Sequence, residues 1–205
     1  MLLALTVLPG AGWLFAQQEP TKTSAGSQTA AVRNRVVHDG NWWLRIGEMP
    51  YGELTQSGFL DGVSDYLVTV SRVKWLVGST DYGVEKITGY YNRDPRNRSL
   101  LVPEVWRRVL TESPPPPALP GGEVYDGPHG YYDGSWYKMG DIDERIAYLD
   151  GYLWCRRTYG KQPAAAYPRS LDYYDQKIWN YIKTPKAYNE PVADILARFR
   201  SAIPN

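Results

Sequence analysis

This chain says the same thing twice, and that repetition constrains its folding more than any other feature. Asp39-Gly40-Asn41-Trp42-Trp43 is answered roughly ninety residues later by Asp133-Gly134-Ser135-Trp136-Tyr137. Gly58-Phe59-Leu60-Asp61-Gly62 recurs as Ala147-Tyr148-Leu149-Asp150-Gly151, Ile87 and Tyr90 as Ile178 and Tyr181, and Pro103 as Pro191. The spacing drifts by only a few residues, as it does when loops diverge around elements of fixed geometry. The reading is a first copy over 39–112 and a second over 133–203. Each is near the smallest size at which a core supports itself, so the copies are expected to pack on each other. Between them, 113–132 holds Pro114 to Pro117 and Pro120-Gly121-Gly122, the composition of a stiff, exposed connector.

Helical period dominates both copies. Asp141 with Glu144 has the form of a capping box, and Ile142, Ile146, Leu149 and Leu153 fall on one stripe. Arg156 and Arg157 suit the last turn of that helix, and Gly160 its end. Ser170 opens a helix carrying Leu171, Tyr174, Ile178 and Tyr181. Asn189 is read as the cap of a last helix with Val192, Ile195, Leu196, Phe199 and Ile203 inward. The first copy repeats the set near Tyr51 to Val70, Asp81 to Tyr91, and Pro103 to Leu110, the last with Val105, Trp106 and Val109 inward. Val68 to Val77 is rich in β-branched residues and leaves a strand as the competing reading there. The class is all-α: two tandem three-helix units related by internal duplication, with Asp-Gly-x-Trp turns ahead of them.

At 100° per residue Ala147 and Gly151 point away from the Ile142 stripe. A glycine inside a soluble helix costs up to about 1 kcal/mol relative to alanine, so Gly62 and Gly151 imply that another backbone passes close by. Either these faces of the two copies meet, or each packs on its own Trp-bearing segment.

The N-terminus reads as an export signal over 1–16: it is uncharged, apolar from Leu2 to Leu8, and ends at Ala16. It is too short to span a bilayer. A polar tether over 17–38 follows. A periplasmic or secreted location is therefore expected, with no membrane association once the signal is removed. The single cysteine, Cys155, cannot form an intrachain disulfide, and its apolar helical setting suits a buried, inert thiol. One cysteine and two histidines do not make a zinc site, and no cofactor is implied. With 23 Lys and Arg against 22 Asp and Glu and no long single-sign run, nucleic acid is not an expected partner.

Aromatics are the compositional outlier, 8 Trp and 17 Tyr against 3 Phe, which suits clefts and interfaces as well as small cores. The candidate binding surface is the pair of aromatic turns around Trp42, Trp43, Trp136 and Tyr137, with Arg93 and Arg96 as a polar rim. Asp61 and Asp150, at the border of the apolar stripe, need donors, and the indoles of Trp42 and Trp136 are the candidates. A second reading makes those carboxylates an acid pair beside a stacked sugar, as in a carbohydrate-binding or glycoside-hydrolysing protein. His38 and His129 stand at unequal distances from their Asp-Gly-x-Trp segments and read as loop residues. Ser57, Ser64 and Ser135 lie in no nucleophile-elbow pattern, so no catalytic residue is assigned.

Tyr148-Leu149-Asp150-Gly151-Tyr152, then Ile178-Trp179-Asn180-Tyr181-Ile182-Lys183-Thr184-Pro185, then Pro191-Val192-Ala193-Asp194-Ile195-Leu196 resembles the Rap/Tai family of small helical immunity proteins. Gly58 to Val109 is similar more faintly. Members of that family are exported to the periplasm and neutralise peptidoglycan amidase effectors of type VI secretion. The chain departs from them in its duplication, its proline linker and its lack of paired cysteines. The resemblance implies an exported, non-enzymatic helical protein that binds or inhibits a cell-envelope protein.

Overall fold

A computed structural model describes residues 36–71, 80–113, 132–160 and 166–201. The expected signal peptide, most of the tether and linker, His129 and Ile203 lie outside the described residues. So does the part of the candidate strand beyond Ser71; Val68 to Ser71 is helical. Eight α-helices and no strand occur among the described residues, so the all-α class holds. They run α1 Gly40–Gly47, α2 Gly52–Ser71, α3 Thr80–Arg93 and α4 Val102–Glu112, then α5 Gly134–Met139, α6 Ile142–Thr158, α7 Leu171–Tyr181 and α8 Val192–Ala197. Short 3₁₀ turns at Pro95–Ser99 and Pro185–Ala187 precede α4 and α8.

Among the described residues each half therefore has four α-helices rather than three. What reads in sequence as an Asp-Gly-x-Trp turn is a helix start: the Asp39 carboxylate accepts from the Trp42 amide at 3.0 Å, and the Asp133 carboxylate from the Trp136 amide at 2.9 Å. The same segments clip the last helix of their half. The Val102 amide donates to His38 O and the Val192 amide to Tyr132 O, with bridges Asp39 to Leu101 and Asp133 to Pro191. Asp141 caps α6 by accepting from the Asp143 amide, Glu144 accepts in return from the Asp141 backbone, and Ser170 caps α7. Two termini differ from expectation. Tyr159, not Gly160, is the C-cap of α6. Pro191, not Asn189, precedes α8, because the extended bridge residue must come before the helix can start.

The two halves meet through α2 and α6, the most extensive helix contact in the structure. A Cβ on Gly62 would lie 2.0 Å from Tyr148 O, one on Gly151 2.2 Å from Phe59 O, and one on Gly58 2.2 Å from Glu144 O. Only glycine lets the two backbones approach this closely. Of the two packings open to the small-residue faces, the structure takes the meeting of the halves. As a result α2 is buried on every side from Gly58 to Leu67, and one hydrophobic cluster runs through both halves. The stripe read on α6 is correspondingly incomplete. Leu149 and Leu153 are buried but Ile142 is 54% exposed, while Ala147, Tyr148 and Tyr152 are core. A helix enclosed by neighbours all round has no single apolar face for periodicity to report.

Candidate functional site

The expected aromatic surface is instead core. Trp43 and Tyr137 are fully buried, Trp42 is 8% exposed, and Trp136 is half-buried against Tyr132 and Tyr148. The capping that makes α1 and α5 helical turns these rings inward, where the bulk of an indole or phenol is worth most. Arg93 is exposed at the end of α3. Arg96 is exposed as well, and its Nη2 bonds the loop's own Asp94 at 2.6 Å, which holds the Asp94 carboxyl below its usual range. The 3₁₀ turn that carries Arg96 packs against α1, with the Arg96 guanidinium turned to Asp94.

The repeated aspartates do not meet the indoles either. Asp61 accepts from Tyr132 Oη at 2.6 Å and Thr80 Oγ1 at 2.8 Å. Asp150 Oδ2 lies 2.7 Å from His38 Nε2. His38, placed in sequence at the end of a tether, is a core residue, stacked on Phe59 with its edge to Trp42 and Trp154. The pairing crosses the molecule: the residue before Asp133 reaches the aspartate of the first half, and the residue before Asp39 reaches that of the second. A third carboxylate, Asp65, accepts from Tyr148 across the same interface. Burial pushes Asp61 and Asp65 up to about 7, against the opposing effect of these hydrogen bonds. Two other tryptophans, Trp43 and Trp106, donate their indole N–H groups to Thr88 Oγ1 and Ser64 Oγ. These carboxylates hold the two halves together.

Solvent enters the first half elsewhere. An open cleft of about 590 Å³ lies among α1, α2 and α3, with Leu44, Gln56, Val84, Thr88, Arg98 and three glutamates, Glu48, Glu53 and Glu85, in its walls. Gln56 is held against the floor, donating to Trp43 O at 2.9 Å. Arg98 Nε is shut off from solvent and has no acceptor among the described residues.

In the register of the sequence repeat, Gln56, Val84 and Thr88 correspond to Arg145, Asp175 and Trp179, and these three pack on one another. Arg145 Nε donates to Asp175 Oδ1 at 2.9 Å, Tyr137 Oη donates to the same oxygen at 2.8 Å, and the guanidinium lies 4.5 Å from the Trp179 ring centre. The second half holds a cation of its own at these positions; in the first half the corresponding residues line an open cleft with three glutamates.

Sequence reasoning missed this cleft because its residues come from three separate helices. The signal that was legible is the replacement of Arg145, Asp175 and Trp179 by smaller or neutral residues at the repeat-related positions. Among the described residues no cluster of three or more His, Cys, Asp or Glu could hold a metal, and no helix is long and apolar enough to cross a membrane. Cys155 is buried, and burial raises its thiol well above the ordinary range. Comparison of the chain with protein-family models, curated proteins and solved structures returns no match.

Proposed function

We propose that this chain is a non-enzymatic binding protein of two duplicated helical halves, exported from the cytoplasm, that engages a protein of the cell envelope through the cleft of its first half. The observation that carries the reading is the asymmetry between repeat-related positions: Arg145, Asp175 and Trp179 pack on one another, whereas Gln56, Val84 and Thr88 line a cleft open to solvent. The duplication is supported by matching caps at Asp39 and Asp133, matching bridges at Leu101 and Pro191, and reciprocal helix contacts at Gly62 and Gly151. The resemblance of the second half to Rap/Tai proteins makes a peptidoglycan amidase effector the first partner to test. The carbohydrate reading built on Asp61 and Asp150 has no comparable support, since each carboxylate is engaged across the interface of the halves.

The test is site-directed photocrosslinking of the full chain in envelope extract and with a purified amidase effector. The photoreactive residue is placed at Glu85 in the cleft wall and, as control, at exposed Lys177 in α7. A discrete adduct from position 85, absent from position 177, is expected, together with a fall in muropeptide release by the amidase. Adducts from both positions alike, or from neither, would overturn the proposal.

A further inference from the structure

We infer that the open cleft of the first half takes a peptide segment carrying a lysine or arginine side chain; this rests on the reading of the chain as a protein-binding module and names the chemistry of its partner. The second half shows what the repeated scaffold accommodates at this place. Its own Arg145 guanidinium sits there, 10% exposed, against a carboxylate and the face of an indole. In the first half the corresponding residue is Gln56, shorter and turned to Trp43 O, so the position that carries a guanidinium in one half lines an open cleft in the other.

The walls of that space match an incoming cation. Among the described lining residues Glu48, Glu53 and Glu85 stand against Arg98; Glu85 also pairs with Lys86 Nζ at 3.2 Å, so Glu48 and Glu53 are the acids that leave the cavity with a negative balance. Arg98 adds a requirement of another kind. Half-buried among the lining residues, it brings a guanidinium, which donates to oxygen acceptors, to the wall of the cleft. A peptide offers a cationic side chain and main-chain carbonyl oxygens within a few ångströms of each other; a simple cation offers only the first. In the turn between Glu48 and Glu53, Met49 and Tyr51 are 54% and 71% exposed, and Tyr51 holds a φ of 61°, a region L-residues rarely occupy. An apolar residue beside the peptide's cation would cover Tyr51.

The experiment is isothermal titration of the full chain with blocked tripeptides in which leucine flanks a central lysine, arginine, glutamine or glutamate, with lysine amide as the free cation. The lysine and arginine peptides are expected to bind about tenfold or more tighter than the glutamine and glutamate peptides and than lysine amide. The paired substitutions Glu53→Gln and Glu85→Gln, both at exposed positions, should remove that preference without moving the melting temperature. Arg98→Gln should weaken all the peptides alike. The triple substitution Gln56→Arg, Val84→Asp and Thr88→Trp, which rebuilds the cluster of the second half, should abolish binding. Equal affinity for the lysine and glutamate peptides, lysine amide binding as well as the peptide, or a preference that survives loss of both glutamates would overturn the inference. If a partner crosslinks at position 85 while the peptides show no charge preference, the binding function stands and this assignment falls. If the peptides discriminate while position 85 captures no protein, the reverse holds.

Discussion

Alanine substitution at glycines of α2, α6 and α3 separates a backbone-contact requirement from helix propensity. Gly62 and Gly151 lie mid-helix where an added Cβ would stand 2.0 Å from Tyr148 O and 2.2 Å from Phe59 O, whereas at Gly89, in α3, nothing lies within 4 Å. All three changes gain the same intrinsic propensity, up to about 1 kcal/mol. At Gly89 that gain stands alone, so Gly89→Ala should raise the melting temperature by about 2–4 °C for a chain of this size. At Gly62 and Gly151 the obstructing atoms are backbone and have no rotamer to change, so α2 and α6 must separate along their whole contact. Overpacking of this kind costs about 3 kcal/mol at the upper end of its usual range. Less the propensity gain, a net loss of about 2 kcal/mol and a fall of about 4–8 °C is expected for each. Thermal unfolding followed by far-ultraviolet circular dichroism reads all three variants. If Gly62→Ala and Gly151→Ala melt with the wild type, or shift in the same direction as Gly89→Ala, the two backbones do not meet as described.

Other consequences follow from the same interface and from the packing around Arg145. Asp61 and Asp65 titrate near 7 in the folded chain and near 3.8 when exposed, so the stability they contribute is complete below about pH 4 and is lost as pH rises through about 7. Urea denaturation should show stability falling by a few kcal/mol between pH 5 and 8, and Asp61→Asn with Asp65→Asn should flatten that dependence; a slope unchanged in the double variant would refute the assignment. Asp175→Ala leaves the buried Arg145 without its carboxylate and should cost about 3–5 kcal/mol in chemical denaturation, while a double change of Arg145 and Asp175 to apolar residues of similar size should recover most of it. Cys155 should resist alkylation by iodoacetamide in the native chain and react fully once unfolded in guanidinium; rapid native labelling would place the thiol at the surface.

Local signals were legible where a side chain acts on its own neighbourhood. Asp141 and Ser170 announce helix starts because capping is decided within a turn, and Val105, Trp106 and Val109 read correctly as inward because α4 has one buried face. The glycines were readable as sites of close approach, since an unfavourable residue recurring in both copies asks for a compensating contact. The indole partners were not. Trp43 donates to Thr88 and Asp61 accepts from Tyr132, pairings between residues far apart in the chain that no spacing rule reaches. The aromatic segments read as surface in the sequence because composition reports how many rings there are and is silent about which way a capped helix turns them.

The repeat and the capping and breaking residues along the chain already dictate two similar sets of helices and a pair of glycine-bearing faces, because these depend on short-range sterics and hydrogen bonding. Which faces meet, that His38 and Tyr132 cross over to the aspartates of the opposite halves, and that Arg145 is packed on Asp175 while Gln56 lines an open cleft depend on long-range packing. The reason is geometric: a cleft is the space remaining after three helices have found their distances, and no residue along the chain encodes that space alone.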